Sequence, residues 1–163
     1  MAATVQIVEK NGAPGTTTDK TSGTVRFKNA DNSTVDLNNP MVKPVSGTDY
    51  SFEKWLRLNV TGGTYTQISD IIAYMDGSSG LGTGVGLYAK AVSSYATPAE
   101  AANVSGYTDA FTYNSGAPLA LGAGPFTSTG EKGDHLVMVL TVASTAAGGL
   151  TPSETLTMGW DEI

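Results

Sequence analysis

One histidine, fifteen carboxylates and no cysteine limit the chemistry open to this 163-residue chain. A nucleophilic triad needs a nucleophile, a base and a third group that orients the base, and His135 is the one imidazole that could act as base. It stands beside Asp134 at the entrance of the apolar run HLVMVLTVA, residues 135–143. A strand-end histidine with a local hydrogen bond accounts for it without catalysis. A glycosidase would need two carboxylates about 5 Å, or about 6.5–9.5 Å, apart across a cleft. Glu53, Asp70, Asp76, Asp109, Glu131 and Asp134 belong to no recognisable motif, fall mostly at strand ends and solvent positions, and single out no pair.

Zinc needs thiolates or several imidazoles and finds neither. Calcium would find oxygen donors at Asp31, Asn32, Ser33 and Asp36, or around Asp76. Neither stretch has the glycine and closing glutamate of an EF-hand loop, so both read as solvated turns. Gly80, Gly82, Gly84 and Gly86 alternate without GxGxxG spacing and lead into a strand, where a phosphate site uses a helix N-terminus. They read as hairpin glycines. The aromatic residues Trp55, Tyr65, Tyr74, Tyr88, Tyr95, Tyr107 and Tyr113 would suit stacking on a sugar, and equally suit cross-strand packing or a protein interface. No catalytic, cofactor-binding or metal-ligating residue is assigned. The expectation is a protein that is not an enzyme, with carbohydrate open as a ligand.

A net charge of −6, with nine basic residues scattered along the chain, argues against binding a nucleic-acid backbone, which depends on clustered Lys and Arg. Without cysteine the fold rests on packing and hydrogen bonds. No apolar stretch approaches the roughly 20 residues of a membrane-spanning helix, and residues 1–12, MAATVQIVEKNG, lack a basic start followed by an apolar run. The expectation is synthesis without export and no membrane partner, in the cytoplasm or in a particle assembled there.

These residues must be positioned by strands. Glycine (20) and threonine (22) are abundant, which favours turns and pleated, half-exposed surfaces over helices. Residues 52–91 read as three successive strands separated by glycine-rich loops. Trp55 and Phe52 are out of phase with Leu56, Leu58 and Val60, a sign of a bulge or of cover on both faces. In residues 67–76, alternation places Ile68, Ile72 and Tyr74 on one side and Ile71, Ala73 and Met75 on the other, so the strand should be central or hidden by another subunit. Residues 24–28 alternate as a short strand with one face in water. Residues 29–49, with Pro40 and Pro44, read as a long ordered connection. The sequence TPAE at 97–100 permits one helical turn through Ala101 and Ala102. Residues 135–143 belong at a sheet centre, and Leu156, Met158 and Trp160 mark a terminal strand.

About eight strands result, and the predicted fold is all-β, an antiparallel two-sheet β-sandwich of jelly-roll-like type. Residues 1–23 would be an N-terminal strand or arm with an exposed loop, and residues 24–163 a single sandwich domain.

The order FEKWLRLNV, TQISDIIAYMDG, GVGLYAKAVSSYATP and a closing LTMGWDEI resembles small β-sandwich decoration, or cement, proteins of tailed-bacteriophage capsids. The resemblance covers residues 52–98 and the last eight residues and carries no diagnostic side chains. It implies a structural virion protein, assembled in the host cytoplasm, that binds the outer surface of the shell and stabilises it. The implied partners are the major capsid protein and further copies of the chain, commonly as a homotrimer. Such a protein would use residues 1–23 and 29–49 to reach over its neighbours. A carbohydrate-binding module or receptor-binding virion component is the alternative.

Overall fold

Ten antiparallel strands form two sheets of unequal size in the computed structural model, which describes residues 2–163. The larger sheet is organised around β9 (Gly130–Ala143), whose apolar centre needs cover on both faces. On one side it pairs with β4 (Lys54–Gly63) and, past a break at residues 51–53, with β3 (Thr48–Tyr50). On the other it pairs with β6 (Val85–Val92) over eight residues, Val85 opposite Val142 through Val92 opposite His135. Beyond β4 lie β1 (Ala3–Asn11) and β2 (Thr16–Asp19), and beyond β6 the two-residue β7 (Thr108–Asp109). Short edge strands of this kind limit pairing with foreign chains.

The smaller sheet has the order β10 (Thr157–Glu162), β5 (Ile68–Tyr74), β8 (Leu119–Gly122). It lies over the inner face of the larger sheet. Leu56, Leu58 and Val60 of β4, Leu87 of β6 and Leu136 and Met138 of β9 pack there with Ile68 and Ile71 of β5, Leu121 of β8 and Met158 of β10. The outer face of β4 and β9 is covered as well. Trp55, Val137 and Val139 are buried there, where residues 93–107 supply Tyr95 against Trp55 and Tyr107 against Glu53. This two-sided cover explains the phase of Trp55, and the break in pairing at residues 51–53 explains Phe52, whose N–H turns to the Lys28 carbonyl.

The all-β sandwich is as the sequence predicts, and β5 is indeed a central strand. Several local expectations are corrected. The three stretches of residues 52–91 do not pair with one another: β4 and β6 lie in the larger sheet and β5 in the smaller, so both glycine-rich loops are arches between sheets. Gly84 serves the second arch at φ +77°, where a Cβ would come within 2.6 Å of the Ala146 nitrogen. In β5 the phase inverts at Asp70, whose φ of +48° adds a kink, so Ile68 joins Ile71, Ala73 and Met75 in the core. Residues 24–28 form no strand; Val25 and Phe27 pack on the core from an irregular segment and Lys28 is buried. Within residues 1–23, the stretch expected as an exposed loop contains β2, which pairs with β1. No helix forms at Ala101 and Ala102, because Glu100 bridges to Phe52 and the Ala101 N–H donates to the Ser51 carbonyl. The one helical turn among the described residues is a 3₁₀ segment at Ala110–Thr112, capped by Asp109.

Candidate interaction surface

His135 lies inside β9, five residues past its start at Gly130, and not at the strand entrance. Residues 130–134 have no apolar alternation, yet their backbone extends the ladder to β4, with Gly130, Glu131 and Lys132 opposite Val60, Asn59 and Leu58. The imidazole is 1% exposed, on the outer face, between Trp55 and Tyr95 at ring-centroid distances of 5.4 and 5.8 Å. Its Nδ1 is 3.2 Å from the Val92 carbonyl, an acceptor, so Nδ1 carries the proton and Nε2 is left buried without a donor. Burial, reinforced by the Arg57 guanidinium, lowers its pKa below the usual imidazole value. No hydroxyl, thiol or carboxylate hydrogen-bonds to it among the described residues.

Four of the six carboxylates weighed as catalytic candidates, Glu53, Asp76, Asp109 and Glu131, have separate structural tasks. Glu131 accepts from Lys10 at 2.7 Å and from Arg57 at 3.2 Å. Burial pushes its pKa up, but these two cations outweigh that and hold it below the ordinary value. Glu53 accepts from Trp55 Nε1 and from the Tyr107 hydroxyl. Burial first, and then this bond to Glu53, push the Tyr107 hydroxyl far above the usual phenol range. Tyr95 donates to the Gly12 carbonyl, and burial and the Asp31 charge raise its pKa to about 12. Asp76 turns the chain by accepting from the Ser78 N–H. Of the aromatic side chains weighed for sugar stacking, Trp55 is buried and the six tyrosines are half-buried. The outer-face cluster therefore clamps β1, β4, β9 and residues 93–107 together.

The oxygen-rich stretch 31–36 has a different use. The successive carbonyls of Asn32, Ser33 and Thr34 accept from three lysines: Lys54 at 2.7 Å, Lys20 at 2.7 Å and Lys28 at 2.9 Å. Glu9, fully buried, lies 2.9 Å from Lys54 and 3.6 Å from Lys20, and Asp36 lies 3.0 Å from Lys28. Lys28 lowers the Asp36 pKa, chiefly through that hydrogen bond. Of the residues read as potential calcium donors, Asn32 and Ser33 through their carbonyls and Asp36 through its carboxylate are held by ammonium groups, while the Asp31 carboxylate accepts from the Asn11 amide and the Gly12 N–H; the irregular connection is thus pinned to the end of the sandwich.

The pinned connection presents apolar surface outward. Val35, Leu37, Val42 and Val45 are 53%, 68%, 63% and 103% exposed, and Leu150 of the facing loop is 74% exposed. Between these two loops runs an open groove of about 250 Å³, floored by Phe27, Met41, Val85, Leu140 and Val142 and bordered by Arg26 and Lys43. The other seven basic side chains have an ion-pair, hydrogen-bond or aromatic partner. Among the described residues, Arg26 and Lys43 have none, and Arg26 Nε is cut off from water.

Sequence reasoning missed the lysine pins. The available signal was the phase of two charges: Glu9 continues the inward set Val5 and Ile7, and Lys54 precedes Leu56 and Leu58 on the same face. The apolar side chains of residues 35–45 were visible, but not their exposure. Compared with protein-family models, curated proteins and solved structures, the chain matches none.

Proposed function

We propose that this chain is a structural protein of a virion that docks on the outer surface of a bacteriophage capsid and stabilises the shell, with the major capsid protein and further copies of itself, as a homotrimer, for partners. The observation that carries this reading is the row of exposed apolar side chains on a connection its own lysines hold in place. Exposed apolar patches on otherwise polar surfaces mark sites of protein association. A pre-ordered loop also spends less conformational entropy on binding than a free arm would. Residues 3–11 and 16–19 are already strands of the chain's own sheet, so the docking role falls to the connection.

Co-sedimentation with purified capsid shells tests the reading. The wild-type chain should pellet with shells, and Leu37→Asp with Val45→Asp should stay in the supernatant while keeping a wild-type melting temperature. A chain that ignores shells and binds a soluble glycan as a monomer would replace the reading with a carbohydrate-binding module, which the buried and half-buried aromatic rings do not favour.

A further inference from the structure

We infer that the groove beside the connection receives an acidic segment of the partner that also carries apolar side chains: a carboxylate set against Arg26 and Lys43, and an apolar side chain inserted over Phe27, Met41 and Leu140. The inference rests on the docking reading above and adds the chemistry of what docks.

Size is the first argument. At about 250 Å³ the groove is smaller than the roughly 300–1,000 Å³ of small-molecule sites, and its open slot suits one or two side chains of a protein segment. Charge is the second. In a chain of net charge −6, the two cations without a partner among the described residues both border this groove. The carboxylate at the groove, Asp36, is already engaged by Lys28. A donor shielded from water without an acceptor is unfavourable, and Arg26 Nε is such a donor. An incoming carboxylate meets the terminal nitrogens of the Arg26 guanidinium, which have no partner among the described residues and are not among its buried atoms, in the charge-assisted geometry that guanidinium groups favour. In an extended segment alternate side chains point the same way, so one face can fill the slot while the acids meet the rim.

The test uses the full-length chain and short fluorescent peptides alternating Leu with Glu, with Gln or with Lys, titrated by anisotropy. The Leu–Glu peptide should bind at least about tenfold more tightly than Leu–Gln, Leu–Lys should not bind, and binding should weaken as salt rises from about 0.05 to about 0.5 M. Lys43→Glu, at an exposed position, and Arg26→Gln should each weaken it by about tenfold. Equal binding of the three peptides, no binding of Leu–Glu at millimolar concentration, or indifference to both variants would overturn the inference. So would self-association abolished by Lys43→Glu, which would make a second copy the occupant. Shell co-sedimentation separates the two readings. A wild-type chain that binds Leu–Glu but no shell keeps the groove and loses the capsid role; a Lys43→Glu chain that binds shells as wild type does keeps the capsid role and loses the groove.

Discussion

The inner face of the larger sheet is covered in two ways, and the residues beneath differ accordingly. Where the smaller sheet lies over it, β1 and β4 present Val5, Ile7, Leu58 and Val60. A few residues along the same strands and the same face, where the irregular connection lies over it, they present Glu9 and Lys54. A covering strand has its carbonyls satisfied by its own ladder, whereas an irregular cover brings carbonyls that need donors from below. On β1 and β4 the backbone of the covering element therefore decides whether a buried position is apolar or charged.

The sharpest way to break this comparison is to remove charge from under the connection. Glu9→Ala leaves two lysines buried without their carboxylate and should cost about 3–5 kcal/mol in urea unfolding. Lys54→Met should also destabilise, since Asn32 loses its donor; a Met variant as stable as wild type would sink the pinning account. Under the smaller sheet the loss is one of packing, and Leu58→Ala should cost about 2–5 kcal/mol without altering shell binding.

The outer face offers a gentler contrast through pH. Tyr95 and Tyr107 have raised folded-state values, so the unfolded chain ionises first as pH rises above about 10. Stability is full below pH 10 and falls above it, towards about pH 12 for Tyr95; Tyr95→Phe and Tyr107→Phe together should flatten the decline in thermal unfolding. His135 has a lowered value, so its contribution is full above about pH 6.5 and is lost as pH falls below that value towards the lowered folded one, over which range the unfolded chain takes up the proton first. The difference in melting temperature between wild type and His135→Leu should shrink from pH 7.5 to pH 5.5, and a constant difference would contradict it. The smallest expected effect is at the exposed tip: Val45→Ser should change stability by no more than about 0.5 kcal/mol while weakening shell binding.

The sandwich was legible because the apolar alternation of β4, β6 and β10 and the unbroken apolar run of β9 are strong and their turns are rich in glycine. Partners were not, since a glycine-rich loop such as residues 76–84 permits an arch as readily as a hairpin and only long-range packing decides. The phase of β5 escaped because a single left-handed residue, Asp70, inverts it. Residues 24–28 read as a strand on alternation alone, yet the Lys28 carbonyl accepts from the Phe52 N–H and the Thr24 carbonyl from the Lys20 ammonium. At the apolar surface of the connection, composition revealed Val35, Leu37, Val42 and Val45, but exposure is a property of the assembled fold.

The lysines grip the main chain of residues 32–34 and not their side chains. Carbonyls are common to every residue type, so the anchorage is indifferent to which side chains the loop displays. Such an attachment separates inheritance of the loop's shape from inheritance of its surface: the displayed residues can drift to follow a changing partner while Lys20, Lys28 and Lys54 keep the scaffold constant. A library randomised at the exposed positions Val35, Leu37, Val42 and Val45, with Asp36 and Met41 kept, would therefore sample new surfaces at little risk to folding.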